Sequence, residues 1–441
     1  MIEQLLELAA RRADGGADAL WRRVERTSVA FEWGRLKAAG VSEEAGANLR
    51  VRQRGRVGVA GSTAVDAAPG DLVARALASA ELGEAVDLAF PGAAPIPGVT
   101  TFDAAAADAA LDHFVALGRS LLEQLARDGC RVNVTIERET AETRVANSGG
   151  AAGAYRSTGV GVSAEVWRIA GDDVLAIGDS WDGTGLPPEA ALTALVRGIT
   201  QRLEHGLRIV GPPEGALPVV FTPSGLSALM LPVTQALSGK AVLQGISPLA
   251  GKVGERVFDE RFSLTDDALC PGRPASRPLD DECVPSRTTC LVQRGVVERF
   301  IYDLETAARA KTASTGHGQR TIFGKPAPGY TNIVLGEAEG GGQWDGGLGG
   351  GLLADVSDGL LVDELIGVGQ GNVIGGAFSH PVALAYRVQR GAIAGRVKDA
   401  AIAGNAYELW KRVGGWGHDR RWAGARSSPS VLLDGVSVAR R

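Results

Sequence analysis

At 441 residues, 45% of them apolar and 22% charged, the chain has the composition of a folded protein of two domains or so, which excludes a disordered polymer. A net charge of −5 without a basic stripe argues against free-standing nucleic-acid binding, since neutralising phosphates takes clustered Lys or Arg. No run of about 18 apolar residues occurs, so no membrane span is expected.

The opening segment, MIEQLLELAARRADGG, predicts an amphipathic helix over 3–12 and not a secretory leader, because Glu3 stands where a basic segment would. Without a leader, Cys130, Cys270, Cys283 and Cys290 read as reduced thiols of a cytoplasmic protein. Six residues separate Cys283 from Cys290, more than the roughly two to four of a zinc knuckle. Short strands follow over 19–25, 28–33, 47–53 and 56–60, with turns at Trp33-Gly34-Arg35 and Arg54-Gly55. Residues 71–82 predict an amphipathic helix, 90–98 a Pro/Gly loop, and 104–128 a long helix rich in Ala and Leu. Alternation predicts strands over 131–139, 142–147 and 160–169, with a turn at Asn147-Ser148-Gly149-Gly150, and then a helix over 187–205. The cluster Gly211-Pro212-Pro213-Glu214-Gly215 is a linker. It sets the expected boundary between an N-terminal α/β domain, 1–212, and a C-terminal β-rich domain, 213–441.

The second half opens on the stretch that organises the chain, 219–258. Val219–Phe221 ends a strand, and Thr222-Pro223-Ser224-Gly225 is a turn with Ser224 as a helix N-cap. Leu226, Leu229, Met230, Val233 and Leu237 then recur at helical spacing. This helix carries no His, Glu, Asp or Cys, and Pro232 either kinks it or begins it. Residues 290–293 and 296–302 flank Arg294-Gly295 as a hairpin. Residues 336–351 include nine glycines and read as a flexible loop or a series of tight turns, with a lid over a cleft as one use of it. Further strands are expected over 359–365, 377–378 with 384–389, and 431–438. The expected class is α+β: an N-terminal α/β domain with antiparallel strands and long helices, and a strand-rich, barrel-like or sandwich C-terminal domain.

The common catalytic motifs are missing. The five histidines are His113, His205, His317, His380 and His418, and none lies in H-E-x-x-H. Gln201 stands where H-x-x-E-H ending at His205 would need its first imidazole, so His205 reads as a helix-end residue. Gly178-Asp179-Ser180-Trp181-Asp182 fails the nucleophile-elbow pattern at its last position. Gly367-Val368-Gly369-Gln370-Gly371 has the glycines of a dinucleotide fingerprint without the helix that must follow. Asp355, Asp358 and Asp363, set among Gly and Leu, read as turn residues before they read as a carboxylate cluster. His317, flanked by Gly316 and Gly318, is expected in an open, exposed loop and is the lone candidate for a peptide-cleft residue.

Taken in order, several segments make the whole chain resemble the TldD/PmbA (TldE) family, once named modulators of DNA gyrase. They are SVAFEWGRLK at 28–37, AGANLRVRQRGRV at 45–57, Asn147-Ser148-Gly149, GKVGER at 251–256, and STGH at 314–317. The C-terminal ones are GLLVDELIGVGQG at 359–371 and Ile402-Ala403-Gly404-Asn405. The resemblance implies a peptidase-complex subunit. TldD-like members carry H-E-x-x-x-H, two zinc-binding imidazoles and a general base, with a Cys nearer the C-terminus. TldE-like members lack them and pair with a TldD-like partner. Counted from the Gly251–Glu255 landmark, the motif falls on Met230-Leu231-Pro232-Val233-Thr234-Gln235, and no Cys follows Cys290.

A thioether at Met230, a hydrocarbon at Leu231 and an amide at Gln235 cannot replace that set. The resemblance therefore implies a TldE-like chain with no zinc of its own. Zinc is expected in a TldD-like catalytic partner, joined to this chain as a heterodimer or larger. The implied substrate is an unstructured peptide, bound as an added β-strand, and neither nucleic acid nor membrane is an expected partner. The alternative is a stand-alone homodimeric peptide-binding scaffold without catalysis.

Overall fold

The computed structural model describes residues 2–64, 69–336 and 346–441. Residues 337–345 of the glycine-rich segment lie outside them. An antiparallel sheet of six strands forms the N-terminal half: β1 (Ala17–Glu32), β2 (Arg35–Gln53), β3 (Arg56–Ser62), β4 (Cys130–Asn147), β5 (Ala152–Ala170) and β6 (Asp173–Gly183). Their order is β3-β2-β1-β4-β5-β6. The two strands expected over 19–33 are one continuous strand, because Arg26 and Thr27 keep the pairing through to Ser42 and Val41. β2 starts well before the expected residue 47. Its residues 35–44 are exposed, so no apolar alternation marks them in the sequence, and pairing with β1 holds them. The X-Gly turns form as expected, with Trp33, Arg54 and Arg294 in the left-handed region at φ of 54, 51 and 45°.

Helices α1 (Ile2–Ala10) and α2 (Pro69–Leu82) pack with Ala47, Leu49 and Val51 of β2 in one cluster. The long helix expected over 104–128 is broken into α3 (Ala104–Asp108) and α4 (Leu111–Leu125). Asp103 caps α3 by accepting from the Ala106 amide at 2.7 Å. The Arg138 guanidinium enters the break and donates to the Ala107 carbonyl and, at 3.3 Å, to that of Ala109, so the interrupted turn leaves those acceptors paired. Helix α5 (Glu189–Gly206) closes this half.

The C-terminal half is a closed β-barrel. The ring runs through Asp358–Leu365, Gly215–Phe221, Val431–Arg440, Ala400–Asn405 and Ala377–Gln389, and pairing of the last with the first shuts it. A second six-stranded sheet includes Leu264–Asp267, Thr288–Gln293 and Ile333–Leu335. The fold is thus α+β, and of the two forms expected for the second half the barrel is the one found. The strand Ile209–Val210, just before the expected linker, pairs with Ala392–Val397. One apolar cluster runs from Val134 and Val162 of the N-terminal sheet to Leu361, Tyr386 and Leu432 of the barrel. Among the described residues no helix is long and apolar enough to cross a membrane.

Candidate functional site

Helix α6 (Ser227–Ala236) follows the barrel strand that ends at Phe221. It begins at Ser227, so Pro232 lies inside it and does not start it. Ser224 does not cap it either. The cap position is Leu226, without a side-chain bond, while Thr222 Oγ1 accepts from the Gly225 amide at 3.2 Å. Gly225 is required here: a Cβ would stand 2.4 Å from the Val362 carbonyl oxygen. Proline costs α6 one amide donor. Side chains tie the helix in from outside: Trp410 Nε1 donates to the Leu229 carbonyl at 3.2 Å and the Tyr407 hydroxyl to that of Pro232 at 3.0 Å.

The three positions singled out on α6 do not converge. Met230 is 2% exposed and belongs to the core with Phe221, Phe262 and Trp410. Gln235 points to solvent. Leu231 alone faces a cleft of about 320 Å³, beside Ala228 and Pro232. The cleft's far wall is the glycine loop 367–371 with His380 and Pro381. That loop is no dinucleotide fingerprint: Gly367, Gly369 and Gly371 take φ of 76, 97 and 79°, and only a three-residue 3₁₀ turn follows. His380 stacks on Phe378 at 5.9 Å, and burial lowers its imidazole below the ordinary value.

Val368 also borders a larger cavity of about 700 Å³, between the faces of β4 to β6 and the start of α6. An ion network builds its wall. Arg202 of α5 donates to Asp363 at 3.0 Å and to Asp179 of β6; Arg421 holds both Asp179 oxygens at 2.9 Å and reaches Ser224 Oγ at 2.7 Å. Burial alone would raise the Asp363 carboxyl, but the Arg202 and Arg421 charges outweigh it and hold it below the usual range. Glu364 beside it goes the other way, pushed up by burial and then by the charges of Asp363 and Glu165.

Two expectations are corrected. Asp363 is a buried strand residue paired to Arg202 and not a turn residue, because the strand Asp358–Leu365 runs through it. His317 is not exposed: it is 2% accessible, with Nε2 3.0 Å from Asp266 Oδ2 and Nδ1 2.9 Å from Thr315 Oγ1. Both ring nitrogens are engaged inside the fold; Gly316 before it takes φ of 77°, and Gly318 after it lies in a short strand where a Cβ would stand 2.4 Å from Glu282 Oε2. His205 does sit in the last turn of α5, near the Tyr386 ring. Among the described residues no group of three or more His, Cys, Asp or Glu is placed to hold a metal, and all four cysteines are free.

The cleft residues Asp179, Arg202 and His380, and Arg421 which holds Asp179 in place, come from four distant segments, and sequence reasoning passes over them. One signal was available. Arg202 lies between Ile199 and Leu203 on the apolar face of α5, and Asp363 interrupts an apolar run, which is how buried charge partners look in a sequence.

Comparison with known proteins places these features. The model of the PmbA/TldA metallopeptidase C-terminal domain matches residues 214–440, and that of PmbA/TldA metallopeptidase domain 1 matches 17–80. A metalloprotease TldD homolog of Haemophilus influenzae is 29% identical over 210 residues, 47% of this chain and 42% of that protein. The matched region thus spans less than half the length of that relative. The crystal structure of TldE from Thermococcus kodakarensis superposes with a TM-score of 0.87 over 99% of both chains, at 22% identity. A Thermotoga maritima protein described as a DNA gyrase modulator does so with the same TM-score and coverage, also at 22% identity. These two likenesses bear on the fold, and the family match covers more than half of the chain: it belongs to the TldD/PmbA metallopeptidase family.

Proposed function

We propose that this chain is a TldE-type subunit, without a catalytic metal of its own, of a two-component peptidase that trims unstructured peptides. The observation that carries this reading is the divergence of Met230, Leu231 and Gln235 on α6. Zinc in such a site needs three protein donors of the N, S or O type at about 2.0–2.3 Å from one point. A thioether turned into the core, a leucine and an amide facing solvent do not fit it. The residues of the cleft have another use. Leu231, Val368 and Gly369 offer an apolar floor and wall, and Arg202, Glu364 and Glu165 add charge at the wider end. Such a channel suits an extended peptide held mainly through its backbone.

The test is co-expression with a TldD-like relative bearing H-E-x-x-x-H. The expected product is a 1:1 complex that contains zinc and cleaves a casein-type peptide, while this chain alone contains none. Leu231→Arg, which fills the cleft, is expected to weaken cleavage by the complex without releasing the partner. Stoichiometric zinc in the single chain, or failure of the two chains to associate, would sink the proposal.

A further inference from the structure

The outer side of β2 is left without a neighbour over much of its length. β3 covers it only from Ala47 to Gln53, and among the described residues no strand pairs with 35–46 on that side. Residues 35–44 are all exposed, Val41 by 58%. Alternation fixes which backbone groups are free. The Arg52 amide donates to the Gly16 carbonyl at 2.9 Å beside β1, and the register of β2 with β1 is unbroken from Val51 back to Ala38. Every second amide therefore turns away from β1, which leaves those of Ala39, Val41 and Glu43 on the open edge.

An edge of this length is ordinarily blunted by charge, proline or a bulge. Here the one bulge sits at the end of the run, where Ala30 pairs with Ala38 but Phe31 with Leu36. The middle, Ala38-Ala39-Gly40-Val41-Ser42, holds neither charge nor proline. The charges are sorted to its two ends, Arg35 and Lys37 before it, Glu43 and Glu44 after it. Such a strand is complementary to itself when turned round. Antiparallel pairing about Gly40 sets Ala39 against Val41 of a second copy, where their free amides and carbonyls exchange bonds, and sets Lys37 against Glu43 of that copy. Within one chain Lys37 already meets Glu32 of β1 at 2.9 Å, and Glu43 meets Arg23 at 2.7 Å. The join thus lines up charges of alternating sign across four strands, Glu32, Lys37, Glu43 and Arg23, twice by symmetry.

We propose that the 35–45 edge of β2 is a docking surface for a second copy of this chain, paired antiparallel about Gly40 so that the two six-stranded sheets become one. The proposal uses no residue of α6 or its cleft and does not depend on the subunit assignment.

Sedimentation equilibrium of the full chain, with no other protein present, tests it. The expected mass at high concentration is twice the 45.6 kDa of one chain. Val41→Pro removes an edge amide that β1 does not use, and is expected to leave a monomer with an unchanged circular dichroism spectrum. Should that variant fail to fold, two charge variants at exposed positions decide the matter. Lys37→Glu and Glu43→Lys each set like charges opposite one another and are expected to weaken the dimer about tenfold. Mixed in equal amounts, the two variants restore opposite charges in both rows and are expected to associate more tightly than either alone. A wild type that stays monomeric, as it would if this edge served another protein or an extended peptide, overturns the proposal. So does a folded Val41→Pro dimer of wild-type affinity, or a mixture no tighter than its two components.

Discussion

The hydroxyl of Tyr407 lies 3.0 Å from the Pro232 carbonyl oxygen and 2.9 Å from that of Ile374, so one side chain ties α6, the cleft floor, to the turn that follows the glycine loop. Tyr407 is itself buried against Phe258 and the α6 core. Tyr407→Phe keeps the ring and removes only the donor. It is expected to cost about 1 kcal/mol, read as a lower urea midpoint at unchanged slope. No shift of the midpoint would mean that the hydroxyl does not tie floor to wall.

Rebuilding the metal motif in place is expected to fail. A Met230→His, Leu231→Glu, Gln235→His chain sends its first imidazole into a closed core and its second to solvent. Elemental analysis of the purified variant should find well below one zinc per chain. Met230→His alone is expected to destabilise by about 2–4 kcal/mol, from lost packing and an imidazole buried without a partner. A stoichiometric, chelator-removable zinc in the triple variant would show that α6 still presents these positions to one point.

How much of this was legible in the sequence follows from which contacts are local. The X-Gly turns, α6 and the apolar barrel strands announce themselves through neighbouring residues, and each forms close to where it is expected. The broken helix after Ala104 does not, because the break is held by Arg138, a residue from another strand. The burial of His317 depends in the same way on Asp266, 51 positions away. The cleft was half visible. Its floor could be found by placing the family motif on α6, whereas its walls are assembled by ion pairs such as Arg202–Asp179, which no local pattern encodes.

The seam between the N-terminal sheet and the C-terminal loops makes a pH prediction. Arg50 of β2 pairs with Asp18 of β1 and, at 2.5 Å, with Glu282. Burial pushes the Glu282 carboxyl from an ordinary 4.5 up to about 8, against the pull of Arg50 and with the push of Asp303, Asp280 and Asp18. A raised carboxyl keeps its proton in the folded chain while the unfolded chain has lost it. Stability therefore falls as pH rises from about 4.5 to about 8, by at most about 1.4 kcal/mol per pH unit. Glu282→Gln removes that slope, so the unfolding midpoints of wild type and variant should converge on acidification and separate towards pH 8 in the variant's favour. Parallel profiles would count against a protonated Glu282.

The Arg202–Asp363 pair allows the cost and the value of a buried charge to be separated. If Arg202 is removed, Asp363 keeps the Thr222 hydroxyl as its one side-chain hydrogen bond among the described residues, with the Arg421 charge acting without a bond to it, whereas Asp179 is still bonded to Arg421. Arg202→Met is thus expected to destabilise by about 3–5 kcal/mol, mostly through the carboxylate left behind in the core. Asp363→Leu alone leaves Arg202 its bond to Asp179 and should cost less. In the double variant the stranded charge is gone, so the loss should be smaller than for Arg202→Met alone, and the double-mutant cycle strongly non-additive. The single variants also differ with pH. Asp363 titrates below its ordinary value, so its contribution is present above pH 3.8 and is lost as pH falls. The gap between wild type and Asp363→Leu should therefore close in acid. Additive losses in the cycle, or a gap that stays constant down to pH 3, would show that the two residues stabilise the cleft wall independently.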